Sequence, residues 1–104
     1  MFIRLTFCKF IPGHIREIRK IFNEEIAPAV KRQKGVLRIR LLEPTDRLND
    51  YITLSEWKTM EDATAYEAGG TDSKLVAKLE SFFTKPPELK TYLIEEAPVH
   101  VDHL

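Results

Sequence analysis

Two hydrophobic rhythms alternate along this chain, and their order admits few folds. Phe2 to Phe10 runs with a period near two, placing Ile3, Leu5 and Phe7 on one face and Arg4, Thr6 and Cys8 on the other. Pro12-Gly13 breaks that strand. From His14 to about Gln33 the period lengthens to that of a helix: Ile15, Ile18, Phe22, Ile26, Ala29 and Val30 form one stripe, with Arg16, Glu17, Arg19, Lys20, Glu24 and Lys31 opposite. Pro28 removes one hydrogen bond and bends the last turns, and Gly35 supplies the stop. Val36 to Leu42 and Tyr51 to Trp57 alternate again, joined by the polar, turn-rich stretch 44–50, so a hairpin is expected. Thr59 has the character of an N-cap for a helix from Met60 to Ala68, which Gly69-Gly70 ends. Thr71, Asp72 or Ser73 then caps a second helix carrying Leu75, Val76, Leu79, Phe82 and Phe83. Pro86-Pro87 closes it, and Glu88 to Glu95 returns as a strand through Tyr92 and Ile94. The order β-α-β-β-α-β is that of an α+β, ferredoxin-like fold: a four-stranded antiparallel sheet with its helices on one face.

Residues 1–96 make the domain and 97–104 a tail without clear period. The apolar strand positions Ile3, Leu5, Phe7, Leu37, Ile39, Leu41, Ile52, Leu54, Tyr92 and Ile94 are expected beneath the helices. That leaves Arg4, Thr6, Cys8, Arg38, Arg40, Thr53, Ser55, Thr91 and Leu93 on the open face, with Phe10, Tyr51 and Trp57 towards the strand ends. Such a face is too polar for a dry core and too aromatic for a plain solvated surface. Two of them facing each other enclose a semi-polar cavity, so a homodimer is expected.

Composition narrows the function classes. Sixteen Lys+Arg balance sixteen Asp+Glu, which argues against binding nucleic acid by phosphate neutralisation. Apolar runs are only a few residues long, too short to span a bilayer, and the N-terminal residues lack the pattern of a signal peptide. The single cysteine, Cys8, is at home in a reducing compartment, so the cytoplasm is the expected location. No paired-carboxylate, Ser-His-Asp, phosphate-loop, dinucleotide or CxxC signature occurs.

Pro12-Gly13 before the first helix, Gly35 opening the second strand, and Ser55-Glu56-Trp57-Lys58-Thr59-Met60-Glu61-Asp62-Ala63 resemble the antibiotic-biosynthesis-monooxygenase domains of the dimeric α/β-barrel superfamily. The resemblance covers roughly residues 1–96. It implies two chains packed sheet against sheet, with a pocket lined by each open face. Some members of that family are cofactor-free monooxygenases of aromatic polyketides or quinols, in which the substrate's own carbanion activates O2; others degrade haem. The family Trp is Trp57, and the position of a substrate-polarising Asn is Thr53. The haem-degrading pattern is not met: there is no Asn between Met1 and Phe10, Tyr66 stands near the Trp position, and no His lies between Thr59 and Pro98. The resemblance therefore implies no cofactor.

From these readings Trp57 and Arg40 are the candidate catalytic residues. Arg4, Arg38, Tyr51, Thr53 and Tyr66 are the candidate substrate-binding ones, and no metal site is expected. An Arg would hold the substrate's deprotonated oxygen, Trp57 would position its ring, and the two tyrosines are suited to proton transfer. Against this stand structural roles: Trp57 as a plug at the barrel rim, the arginines as partners of acids, Cys8 as a small buried hydrophobe. His100-Val-Asp-His103 has metal-ligand residue types but no third anchor. Two functions follow, a cofactor-independent monooxygenase acting on a small aromatic molecule and a non-catalytic dimeric binding or scaffold protein. The second would show an interior closed by Arg–acid pairs with no room for a ring system.

Overall fold

A computed structural model describes residues 1–95. The elements run β1 (Phe2–Cys8), α1 (Ile15–Ile21), a π-helical turn (Phe22–Ile26), α2 (Ala27–Lys31), β2 (Val36–Leu42), β3 (Tyr51–Trp57), α3 (Met60–Ala68), α4 (Thr71–Ala77), a 3-10 turn (Glu80–Phe82) and β4 (Glu88–Leu93). All strand pairs are antiparallel, in the order β2-β3-β1-β4, which is the ferredoxin-like arrangement expected from the alternation. The tail and its His100 and His103 lie outside the described residues. Among the described residues no helix is long and apolar enough to cross a membrane.

Local chemistry accounts for the element boundaries. Pro28 has no N–H, and the turn ahead of it widens: the Ala27 N–H donates to the Phe22 carbonyl, five residues back. The expected bend is thereby realised as a π-helical turn, and Ile18, Phe22, Ile26 and Val30 stay buried in one row along it. Thr59 caps α3 as expected, its Oγ1 accepting from the Asp62 N–H at 3.1 Å. At α4 the cap differs from expectation. Gly70, with φ +84°, occupies the N-cap position, and Thr71 and Asp72 are already helical. Gly35 has φ +83°, and a Cβ there would lie 2.7 Å from the Cβ of Asp62. Its carbonyl accepts from the Lys58 N–H at 2.8 Å, which ties the start of β2 to the end of β3.

The assignment of sheet faces is corrected. Phe2 pairs with Trp57, Arg4 with Ser55, Thr6 with Thr53 and Cys8 with Tyr51, so these residues share one face. That face is the one under the helices. Phe2, Arg4, Cys8, Ser55 and Trp57 are all buried, in company with Ile18, Phe22, Ile26, Ala63, Tyr66, Leu75 and Leu79. Ile3, Leu5, Phe7, Ile52 and Leu54 lie on the open face instead, half-buried between neighbouring strands. In β2 the expectation holds beyond the start of the strand: Ile39 opposes Ser55 on the helix side and Arg40 opposes Leu54 on the open side, but Leu37 is exposed and Val36 takes the place opposite Trp57. A register shift between Val36 and Arg38 accompanies this. In β4, Thr91 opposes Arg4 on the helix side and Tyr92 opposes Ile3 on the open side.

The reason for the inversion is bulk. Trp57, with no exposed surface, is the largest fully buried side chain and belongs to the semi-polar set. Burying it brings Phe2, Arg4 and Cys8 with it, because a strand cannot turn one residue in without its i±2 neighbours. The helices supply the apolar volume that this face lacks.

Candidate active site between sheet and helices

Arg4 is the centre of the helix-side face. It projects from the second strand of the sheet's middle pair, and its side chain is only 6% exposed. A buried guanidinium without a carboxylate is costly, and two helices bring one. The Arg4 Nη2 donates to the Asp72 Oδ2 at 3.0 Å, and the Glu67 Oε2 lies at 3.8 Å. Tyr66 stacks against the guanidinium at 5.3 Å from its ring centroid, and its hydroxyl donates to the Asp72 Oδ1 at 3.4 Å. Trp57 backs Tyr66 at 5.0 Å between centroids, and its indole Nε1–H donates to the Ser55 Oγ at 2.9 Å. The result is a connected chain of Trp57, Tyr66, Arg4 and Asp72.

Arg4, Tyr66 and Asp72 line a partly enclosed cavity of about 50 Å³. Its sheet side is Arg4, Thr6, Cys8, Ile39, Thr53 and Ser55; its helix side is largely apolar, including Ile26, Val30, Leu75 and Leu79. Outside α4 a surface groove of about 690 Å³ runs past Ser73, Glu80, Lys85 and Pro86. Cavity and groove have Asp72, Val76 and Phe83 in common, so these three residues form the partition between them.

Burial sets the protonation states. Desolvation pushes the Tyr66 phenol above its ordinary range, and the nearby Asp72 charge adds to the shift. Tyr66 is thus a hydrogen-bond donor rather than a base. The Cys8 thiol is pushed up to about 12, first by burial and then by Asp50. Cys8 is 2% exposed and packs as a small hydrophobe, in line with the structural reading of it.

Of the candidate residues, Arg4, Thr53, Tyr66 and Trp57 come together here. Trp57 stands behind Tyr66 rather than against open space. Arg38 and Arg40 do not join them: the expected three-arginine cluster is split by the sheet, with Arg4 on one side and the other two opposite. Arg38 is engaged instead with Glu56, at 2.7 Å. Tyr51 packs on Phe10 at 5.3 Å, four residues along β3 from Ser55 and hence about 13 Å away along the strand. Asp72 was legible in the sequence only as a possible helix cap. The signal that finds it is Arg4 itself, since a buried strand arginine needs a carboxylate from the opposite layer.

The residues present do not fit a haem. No histidine lines the cavity, its one thiol is held protonated, and about 50 Å³ is far below the volume of a macrocycle. Among the described residues no group of three or more His, Cys, Asp or Glu side chains could hold a metal ion.

Comparison with known proteins adds the following. The sequence pattern of the family described as antibiotic biosynthesis monooxygenase matches residues 1–72. No curated protein matches the chain. A Deinococcus radiodurans protein given the same family name superposes with a TM-score of 0.79 at 16% identity, covering 97% of this chain and 99% of that one. SnoaB, a cofactor-independent oxygenase from Streptomyces nogalater, superposes with a TM-score of 0.67 at 20% identity, covering 92% of each chain. A variant of MhuD with two manganese protoporphyrin IX molecules bound per active site gives 0.72 at 19% identity, covering 96% of this chain and 100% of that one. The structural likeness extends over β4, beyond the matched sequence, and with the match over residues 1–72 it places this chain in the antibiotic biosynthesis monooxygenase family.

Proposed function

We propose that the chain is a cofactor-independent monooxygenase of small aromatic molecules, quinols or polyketide-like phenols, working as a cytoplasmic homodimer. The observation that carries this reading is the buried Arg4–Tyr66 pair beside a cavity whose helix side is largely apolar. Arg4 holds the substrate's deprotonated oxygen, and the low-dielectric surroundings strengthen that contact. Loss of a proton from an activated methylene to water gives a carbanion whose electron pair forms a bond to O2, and the peroxide takes a proton back from water to become the hydroperoxide. Tyr66 donates a hydrogen bond to the peroxide that develops, and Trp57 keeps the Tyr66 ring in place. Loss of water from the hydroperoxide leaves a carbonyl, so CH2 and O2 become C=O and H2O. Arg40 and Arg38, on the other face, take no part in this chemistry.

Dimerisation uses the open face. Ile3, Leu5, Phe7, Ile52 and Leu54 form an apolar strip that a monomer leaves half in water. Sheet-on-sheet packing buries it and leaves the helix-side cavity of each protomer intact.

Oxygen uptake with an anthrone or a naphthoquinol tests the reading. The wild-type protein is expected to turn over, Arg4→Gln and Tyr66→Phe to lose at least tenfold, and Arg40→Ala to keep the wild-type rate. Unchanged uptake in Arg4→Gln would sink the residue assignment. A second reading, a non-catalytic binding protein, is favoured by the small cavity and by its closure with the Arg4–Asp72 pair. Ligand binding with no oxygen uptake from any phenol, quinol or anthrone would select it.

A further inference from the structure

Asp72 occupies two positions at once. It is the carboxylate hydrogen-bonded to Arg4, and it is part of the partition between the inner cavity and the outer groove. Its side chain is 25% exposed where that of Arg4 is 6%, so the acid has room to turn outward and the base has none. Gly70, with φ +84°, stands two residues before it, a backbone joint without a Cβ to restrain it. Among the residues lining the cavity Arg4 is the one cation and Asp72 the one carboxylate. A ligand that enters without disturbing this pair finds about 50 Å³, less than an aromatic ring requires.

We propose that Asp72 is a displaceable counter-ion, and that the site selects apolar monoanions: ligands whose own carboxylate, phenolate or enolate oxygen replaces the Asp72 carboxylate on Arg4. The path is the groove, and the mouth lies between Val76 and Phe83. A neutral ligand that pushed Asp72 aside would leave the buried guanidinium with only the solvent-exposed Glu67 carboxylate, 3.8 Å away and not hydrogen-bonded to it, which is penalised. An anion exchanges one buried pair for another and leaves the charge count unchanged. A dianion would bring a second charge for which no cation lines the cavity. Ile26, Val30, Leu75 and Leu79 receive the apolar body, and the displaced Asp72 returns to water on the groove side. This inference rests on the proposed function only for the location of the ligand, and it holds equally for a protein that binds without oxidising.

The probes are benzoate and its neutral isostere benzamide, titrated calorimetrically into the full-length protein. Benzoate is expected to bind at least tenfold more tightly. Asp72→Asn removes the internal competitor and is expected to tighten benzoate a further tenfold, with benzamide within twofold of its wild-type value. Equal affinity for the two probes, no binding of benzoate, or weaker benzoate binding by folded Asp72→Asn overturns the proposal. Because that variant leaves Arg4 without its close partner and its folding is therefore at risk, a wild-type measurement stands beside it. The Arg4 Nε–H resonance is expected to shift during titration with benzoate and to stay put with benzamide; an unmoved resonance under benzoate saturation also overturns the idea. Oxygen uptake that fails while these results hold defeats only the oxygenase reading. Uptake that persists while benzoate fails defeats only the counter-ion.

Discussion

The two faces of the sheet differ in what packs against them. Under the helices lie an arginine, a thiol, threonine and serine hydroxyls and an indole; on the open side lie Ile3, Leu5, Phe7, Ile52 and Leu54. The open strip is flanked by the charged side chains of Arg38, Arg40, Glu56, Glu88 and Lys90, whereas the helix-side face buries its polar groups. It can do so because the buried polar atoms on it are answered: Asp72 and Tyr66 for Arg4, the Ser55 hydroxyl for Trp57, and no buried side-chain nitrogen or oxygen among the described residues is left without a partner. Its apolar volume comes from the other layer, through Ile18, Phe22, Ile26 and Leu79. The open face needs nothing from the helices, and its apolar strip is free for a second sheet. The proposed binding site and the proposed interface thus occupy the two sides of the same strands, one residue apart.

Breaking the helix-side face should cost most. Trp57→Ala removes the largest fully buried side chain and is expected to lower stability by about 3–5 kcal/mol in denaturant unfolding. A loss below about 1 kcal/mol would mean that the indole is not the anchor of this face. Leu54→Lys places a charge on the open face and is expected to raise the dimer dissociation constant about a hundredfold, roughly 3 kcal/mol, by analytical ultracentrifugation. Its neighbour Thr53→Val, on the helix side, should leave that constant unchanged. If both variants dissociate alike, the division of roles between faces is wrong.

Alkaline pH gives a smaller, graded contrast. The Cys8 thiol ionises near 9 when exposed and is pushed up to about 12 in the folded chain. Between these values the folded state holds the proton that the unfolded state has lost, so stability falls as pH rises. The slope from this group is about 1.4 kcal/mol per pH unit, and Cys8→Ala should remove it from a series of unfolding curves. The smallest effect expected is that of Thr59→Ala, about 1 kcal/mol from the lost cap of α3, the helix that delivers Tyr66. It is read as a shift in the unfolding midpoint with no change in dimer mass.

Much of the fold was legible because its signals are local. β2, β3 and α3 have the expected bounds, since Gly35, the turn-rich stretch 44–50, Thr59 and Gly69 mark their ends through backbone chemistry that needs no distant partner. β1 is shorter than expected, ending at Cys8, and Phe10 contributes only an isolated bridge to Phe83. The candidate site was legible in part. Arg4, Thr53, Tyr66 and Trp57 meet, whereas Arg38, Arg40 and Tyr51 stand elsewhere. Grouping Arg40 with Arg4 requires a relative register between β2 and the central strands. That register is set by pairing through β3 and by the shift between Val36 and Arg38, neither of which a periodicity within one strand contains.

The sequence by itself determined the order of elements, the two sets of side chains on β1 and β3, and the family. Period-two alternation, caps and glycines are properties of neighbouring residues, and they survive without knowledge of the rest of the chain. Only the tertiary structure decided which set is inside. Alternation is symmetric between the faces of a strand, and the symmetry is broken by what packs on it: helices that carry Asp72, Tyr66 and a row of aliphatic side chains can bury Arg4 and Trp57, and they leave Ile3, Leu5, Ile52 and Leu54 on the open face.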